Sequence, residues 1–169
     1  LHLQLLHPNV LGNEFLSQEQ PLLLTSYAAL LRQAHIDSIP ANIPREFSIF
    51  DEKLGKTEEY QGKDLLHTAQ LATNLALQKV YASTDPYLQH LVFSGAMKQA
   101  IIEKNYMEAI FWGKQTINQL ERIGQQVADI DSTLLQGFYG QMESHYRRLA
   151  NCLIIVGRLP EADLVLDLL

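Results

Sequence analysis

The chain is short of the residues that many chemistries require. Its 169 residues include a single cysteine, Cys152, which excludes an intramolecular disulfide and favours a reducing compartment such as the cytoplasm. Lysine and arginine number 13 against 19 acidic residues, for a net charge of −6. This balance argues against binding to nucleic acid or to an anionic membrane, because both need clustered positive charge. No apolar run approaches the ~18 residues of a transmembrane helix.

Motifs for catalysis and metal binding are also absent from the sequence. None of the six histidines has the i, i+4 spacing or the HExxH context of a zinc site. The triplet Gly55-Lys56-Thr57 lacks the upstream glycine and strand of a phosphate-binding loop. Cys152 could be a nucleophile, and the pairs Asp51-Glu52 and Glu58-Glu59 could be acid–base groups. A packed thiol and a solvated acidic loop explain them more simply. We therefore predict no catalytic residue, no metal and no cofactor.

What the sequence does contain is helical periodicity. The composition, 47% apolar and 19% charged, is that of a globular chain, and apolar residues recur every three or four positions in five segments. These segments are 19–36, 63–83, 86–103, 106–124 and 131–156. Asp64 and Asp85 precede two helices as N-caps, Pro86 suits a first turn, Gly157 ends the longest helix, and Pro160 opens a sixth. With no convincing strand, the sequence predicts an all-α antiparallel array of helix-turn-helix units.

The helical segments are interrupted by residues 37–62, which contain two prolines and two glycines. This composition predicts a loop or insertion of roughly 25 residues, long for a compact domain. We predict one helical domain over 1–169, with an N-terminal part at 1–36 and the main repeats at 63–169. The chain starts without Met and ends within an apolar helical pattern, so we expect a fragment of a longer protein.

The last part of the chain has the residue pattern of a helical repeat. In the tetratricopeptide pattern, large and small residues alternate at fixed spacing, so that two helices can cross closely. The best copy comprises Tyr146, Leu149, Ala150, Leu153, Gly157, Ala162 and Leu166. A degenerate copy 53 residues earlier comprises Phe93, Ala96, Met97, Ala100, Tyr106, Ala109 and Gly113. A third trace is Leu24, Tyr27, Ala28 and Leu31, with 64–83 as its partner helix. Because the usual period is about 34 residues, the chain resembles a tetratricopeptide module with elongated helices.

A closer resemblance concerns residues 109–123 and 129–169. This stretch, above all GRLPEA followed by VLDLL, resembles the helical segment that precedes the caspase-like CHAT peptidase domain in bacterial tetratricopeptide–CHAT proteins. YAALLR at 27–32 resembles the final helix of kinesin-light-chain-type repeats. The resemblance implies a scaffold that docks a partner and presents it to an adjacent peptidase. The catalytic histidine and cysteine of that peptidase lie beyond the matching stretch, so no catalytic residue is carried over.

Four residues are candidates for partner binding. Arg147, Arg148 and Arg158 cluster near the turn of the last repeat and could contact an acidic partner, although a solvated surface explains them more simply. Trp112 and Phe111 are adjacent on one helix, so both cannot face the same side. The outward one would be an exposed anchor, and Trp112 is our candidate.

These features favour a non-enzymatic protein-interaction or scaffold module over an enzyme. Its partner would be a protein, a peptide or an adjacent domain of the same chain. Two alternatives stay open: a small helical ligand-binding or enzymatic bundle with residues 37–62 as a lid, and a homodimer. Polar side chains converging between the helices would favour the bundle, whereas a purely apolar core would exclude it.

Overall fold

The computed structural model describes residues 13–37, 45–51, 55–128 and 132–169. Within these ranges it contains six helices and one β-hairpin, and the fold is mostly helical, as the sequence predicts. The predictions for residues 1–12, 38–44, 52–54 and 129–131, among them Glu52 and the start of the segment 131–156, lie outside the described part of the chain. The chain divides into two compact units, Leu1–Ser83 and Thr84–Leu169.

The first unit contains two helices and a β-hairpin. Helix α1 spans Asn13–Ile36, strands β1 and β2 span Glu46–Asp51 and Lys56–Gln61, and helix α2 spans Leu65–Val80. The two helices pack along each other. Helix α2 contributes a stripe of fully buried small residues to the core of this unit: Ala69, Ala72 and Ala76. Such a stripe lets two helix backbones approach closely.

The β-hairpin corrects the prediction that residues 37–62 form a loop without strands. The two strands pair antiparallel, with Phe47 of β1 opposite Tyr60 of β2. The rings of Phe47 and Tyr60 stack with centroids 5.3 Å apart, and Phe47 meets the ring of Tyr27 on α1 edge-on at 5.5 Å. The contact of Tyr60 with Phe47 anchors strand β2, whose other residues are polar. Tertiary packing therefore outweighs the loop-like composition of the segment.

The second unit is a run of four helices. They are α3 (Pro86–Ile102), α4 (Tyr106–Ala128), α5 (Ser132–Ile155) and α6 (Leu159–Leu166). Each helix packs on the next one in the chain, and short turns join α3 to α4 and α5 to α6. The unit is therefore built from two antiparallel helical hairpins.

Two of the predicted N-caps are confirmed. The side chain of Asp64 accepts a hydrogen bond of 2.8 Å from the backbone N–H of His67 at the start of α2. Asp85 accepts one of 2.9 Å from the N–H of Tyr87 at the start of α3, where Pro86 occupies the first turn. Each cap satisfies a backbone donor that has no partner within the helix.

Two predicted helix boundaries are wrong. Helix α1 begins at Asn13, so Pro21 lies inside it, and the hydroxyl of Thr25 donates to the Pro21 carbonyl at 2.7 Å. Pro21 is fully buried, and this burial offsets the backbone hydrogen bond that a proline cannot donate. Helix α4 continues past Gly124 to Ala128. Gly124 is buried in the helix and acts as a small packed residue rather than as a stop signal.

The two hairpins of the second unit have the same turn at a spacing of 53 residues. Each turn contains one residue with positive φ, Lys104 at 60° and Gly157 at 79°. Its N–H donates to the carbonyl three positions earlier at 3.0 Å in both hairpins. The next N–H donates to the carbonyl five positions earlier, at 2.9 Å in the first hairpin and 2.8 Å in the second. This pair of bonds is the Schellman motif that ends a helix. The two copies of the sequence repeat therefore share the same backbone conformation at their turns.

Most of the predicted repeat residues lie in the core of this unit. The buried ones are Phe93, Ala96, Met97, Ala100, Ala109, Tyr146, Leu149, Ala150, Leu153 and Ala162. Tyr106 and Leu166 are half-buried, and Gly157 lies exposed in its turn. The alternation of large and small residues therefore describes how each hairpin packs, whichever family the chain belongs to.

Substitutions at Gly157 and Lys104, the residues with positive φ in the two turns, should change the free energy of unfolding in opposite directions. Gly157→Ala forces an L-residue to keep a positive φ while nothing lies within 4 Å of the added Cβ. Backbone strain alone should then lower the free energy of unfolding by about 1 kcal/mol. Lys104→Gly removes that strain from the first turn and should raise it by up to about 1 kcal/mol. Urea denaturation measures both changes, and changes of the same sign would contradict the equivalence of the turns.

Candidate functional site

Two long-range contacts place the second hairpin against the first. Ser94 Oγ on α3 lies 3.3 Å from His145 Nδ1 on α5, and Lys114 Nζ on α4 lies 2.9 Å from Glu161 Oε2 on α6. Side chains of α3 therefore reach α5, and side chains of α4 reach α6, while each helix packs mainly on the next one in the chain.

A glycine sets how closely the hairpins approach. Gly113 on α4 is buried, and a Cβ there would lie 3.0 Å from Leu149 Cδ1 on α5 and 3.1 Å from Met97 Cε on α3. Both distances are shorter than an ordinary carbon–carbon contact. The absence of a side chain at Gly113 thus allows α4 to lie against both α3 and α5 at this spacing.

Polar and titratable side chains converge between α3 and α5. His90 and Ser94 are buried on α3, and the ring centroid of His145 lies 6.2 Å from that of His90. Burial, together with the positive charges of Arg148 and Lys98 and the neighbouring His90, lowers the pKa of His145 to about 4. Burial also lowers the pKa of His90. Both imidazoles are therefore expected to be neutral at pH 7.

This cluster is the kind of observation that the ligand-binding or enzymatic alternative required. A serine within reach of a histidine can begin a nucleophilic site. A histidine with so low a pKa is, however, a weak general base at neutral pH, and the facing charges of Lys98 and Arg148 oppose a metal cation. The described part of the chain holds no group of three or more side chains placed to bind a metal. A buried polar contact between two helices explains the cluster best.

Cys152 lies buried in α5, as expected for a structural thiol. Burial raises the pKa of the thiol, so the reactive thiolate is scarce at neutral pH. The structure gives this residue no feature of a nucleophile.

The predicted arginines do not form a free basic surface. Arg158 Nε and Nη2 donate to the two carboxylate oxygens of Glu161, each at 2.6 Å. The hydrogen bonds from Arg158 and then from Lys114 lower the pKa of Glu161 to about 2. Arg147 pairs with Glu143 one turn earlier on α5, and Arg148 is half-buried. Two of the three arginines are therefore already paired with glutamates of the same hairpin.

The structure corrects the choice of Trp112 as the exposed anchor. Trp112 is only 8% exposed, its ring stacks on Phe93 with centroids 5.5 Å apart, and its Nε1 donates to Glu108 at 3.2 Å. Phe111 is the outward residue, with 50% of its surface exposed. The inward position suits tryptophan because it offers apolar contact together with an acceptor for the indole N–H.

Exposed apolar side chains line the outer side of α4 and α6. Met107 and Phe111 are four residues apart on α4, and Leu164 and Leu168 are four apart on α6 and the turn that follows it. All four side chains are at least half exposed. Residues four apart on a helix lie on one face. We call Met107, Phe111, Leu164 and Leu168 the outer patch.

An ion pair links α4 to α6 near the residues of the outer patch. Lys114 lies three residues after Phe111, and Glu161 lies three residues before Leu164, so each charged residue shares a helix face with its apolar neighbour. The ion pair therefore lies three residues from an exposed apolar side chain on each helix, Phe111 on α4 and Leu164 on α6. Sequence reasoning missed this surface because it took Trp112, and not Phe111, as the outward residue of α4.

Comparisons with protein-family models, with curated proteins and with solved structures found no match to this chain. The resemblance to tetratricopeptide–CHAT proteins therefore stays a prediction. Across the described residues, no helix combines the length and the apolarity needed to cross a membrane.

His145 should make the stability of the second unit depend on pH. Its pKa is about 4 in the folded chain against an ordinary value of 6.5, so protonation favours the unfolded chain. The stabilising contribution is complete above the unfolded pKa and is lost as the pH falls from 6.5 towards 4. Urea unfolding should show a loss of about 2 kcal/mol between pH 7 and pH 4.5 from this residue.

A variant that cannot titrate isolates the effect. His145→Gln keeps a hydrogen-bonding side chain, so its free energy of unfolding should fall less over the same pH range, while His90, Lys98 and Arg148 still face the position. The same substitution at His35, an exposed residue of the first unit, is the matched control. Equal pH dependence in the wild type and in His145→Gln would contradict the assignment.

Proposed function

We propose that the chain is a non-enzymatic protein-interaction module built from stacked helical hairpins. The observation that carries the proposal is the outer patch, whose four large apolar side chains are exposed on two helices linked by an ion pair. Single exposed apolar residues are normal on a protein surface, but several on one side mark an interaction site. Phe111 supplies the aromatic side chain that often anchors such a site.

The helices that carry the outer patch are held in place by side-chain contacts within the chain. Lys114 joins α4 to α6 through Glu161, and Trp112 holds Glu108 on the same helix. A surface that is ordered before binding loses little conformational entropy when the partner arrives. The two helices can therefore present Phe111 and its neighbours at a fixed spacing, as an interaction module requires.

The proposed partner is a protein, a peptide or an adjacent domain of the same chain. The net charge of −6 disfavours nucleic acid, and the ion pair within the patch is electrically neutral. The resemblance to tetratricopeptide–CHAT proteins supports a role within a larger bacterial signalling or peptidase-associated protein. The lone buried thiol agrees with a cytoplasmic location.

A catalytic or ligand-binding bundle is the second candidate, because Ser94 and His145 meet between α3 and α5. It ranks below the interaction module for a physical reason. Burial, and then the positive charge of Arg148, lower the pKa of His145, so this histidine is a poor proton acceptor with no neighbour that would stabilise an imidazolium.

Photo-crosslinking at Phe111 tests the proposed function. Replacing Phe111 by p-benzoylphenylalanine keeps an aromatic side chain in the outer patch, and irradiation in an extract of the source cells should give a covalent adduct with a discrete protein. The same replacement at Tyr81, an exposed aromatic residue of the first unit, is the matched control. Adding Leu164→Glu places a charge in the patch and should reduce the adduct by at least about tenfold.

The outcomes separate the candidates. Leu164 is exposed, so Leu164→Glu should leave the circular dichroism spectrum and the melting temperature unchanged. An adduct of twice the 19.2 kDa chain mass would identify the homodimer as the interaction at this patch. No adduct at Phe111, or equal yields at Phe111 and Tyr81, would contradict the proposal.

A further inference from the structure

The two hairpins of the second unit meet through two contacts of different chemistry. Where α4 meets α5, Gly113 lies against Leu149, and the contact is apolar. Where α3 meets α5, the side chains that meet include two imidazoles and a hydroxyl, those of His90, His145 and Ser94. We call His90, Ser94 and His145 the polar seam. The apolar contact does not titrate, whereas imidazoles change their charge within a few pH units of neutrality.

The polar seam accommodates uncharged imidazoles. His90 Nδ1 lies 2.7 Å from the carbonyl oxygen of Tyr87, which can only accept, so this nitrogen carries the proton of the neutral ring. A second proton would be placed on Nε2 of a side chain that is only 9% exposed. His145 Nδ1 meets the uncharged hydroxyl of Ser94 at 3.3 Å. Neither bond supplies the full negative charge that would stabilise a buried imidazolium.

Burial first, and then the surrounding charges, disfavour protonation within the polar seam. Arg148 on α5 and Lys98 on α3 both oppose a positive charge on His145. Lys98 also opposes one on His90, whereas Asp85 at the start of α3 favours it. Helices α4 and α6 add no charge to this balance in the part of the chain that the structure describes. Once one ring is protonated, the other faces a like charge across 6.2 Å.

Protonation therefore favours a conformation in which the two rings are hydrated. A hydrated imidazole has a pKa of about 6.5, whereas the pKa of His145 in the closed seam is about 4. The closed seam is thus favoured above pH 6.5 and loses this advantage as the pH falls from 6.5 towards 4. Between pH 7 and pH 5, His145 alone shifts the ratio of open to closed seams by about twentyfold. Burial lowers the pKa of His90 as well, so its contribution has the same sign.

We propose that the polar seam is an acid-sensitive switch between the two hairpins. When His90 and His145 each take up a proton, α3 and α5 separate, and the faces that carry Ser94 become exposed to water. The contact of Gly113 with Leu149 keeps α5 on α4 and serves as the hinge. This local opening is distinct from global unfolding, and it goes beyond the proposed interaction function because it does not involve the outer patch.

The α4–α5 contact suits a hinge because protonation does not weaken it. Leu149 and Met97, the side chains closest to Gly113, are apolar and fully buried. The second hairpin also keeps its own turn, which is held by the backbone hydrogen bonds at Gly157 and Arg158. The α5–α6 hairpin can therefore move as one body while its helices stay intact.

Distances between spin labels test the switch. In a Cys152→Ala background, T84C/N151C places one label before α3 and one on α5, and N118C/N151C places labels on α4 and α5. All three labelled positions are exposed. Double electron–electron resonance on the full chain should show a longer distance for the first pair, in a fraction of molecules that rises at least about tenfold between pH 7 and pH 5. The second pair should keep its distance, and the circular dichroism spectrum should stay helical.

Variants that cannot titrate complete the test. H90Q/H145Q in the labelled chain should give the same distance at both pH values, while His35→Gln, at an exposed histidine of the first unit, should preserve the change. If the double variant does not fold, His145→Gln alone decides, because its open fraction should rise less than that of the wild type. An unchanged distance in the wild type at pH 5, or a change that the histidine variants keep in full, would overturn the inference. So would an equal change in both label pairs, which indicates global unfolding.

Discussion

The close approach of helices at Gly113 is the constraint on which the second unit depends. A single added carbon would come within 3.0 Å of Leu149 and 3.1 Å of Met97, and both of these side chains are fully buried. Overpacking of this kind costs roughly 1–3 kcal/mol. Because the glycine lets α4 lie close against α5, the second hairpin is near enough for Lys114 on α4 to bond to Glu161 on α6.

The two hairpins share a backbone plan and differ in the side chains that point away from their own cores. Their turns have the same hydrogen bonds and the same positive φ, although one bend residue is Lys104 and the other is Gly157. The first hairpin uses a glycine and a lysine to receive the second. The second carries Leu166 and Asp167 at the same positions. The two hairpins therefore keep the same turn while the size and the charge of the residues at these positions change.

Much of this fold could be predicted from local signals. Asp64 and Asp85 cap their helices through contacts within three residues, and the spacing of large and small residues reveals the repeat. The strand Lys56–Gln61 could not be predicted in this way, because its polar sequence is held by Tyr60, which stacks on Phe47 of the other strand, and Phe47 in turn contacts Tyr27 on the distant helix α1. The outer patch was missed because adjacent helical residues differ by about 100° in direction, and periodicity left the directions of Phe111 and Trp112 open. The sequence does contain one indication that Trp112 points inward: Glu108, four residues earlier, can accept a hydrogen bond from its indole N–H.

Hydrogen exchange of the full chain, alone and bound to the protein captured at Phe111, is the most direct measurement of the central claim. We predict that binding slows exchange at the amides of Tyr106–Ala128 and Leu159–Leu166, because the partner covers the outer side of these helices. The amides of Lys56–Gln61 in the first unit should exchange at the same rate with and without the partner. Protection confined to the β-hairpin, or protection that spares both α4 and α6, would contradict an interaction module organised around the outer patch.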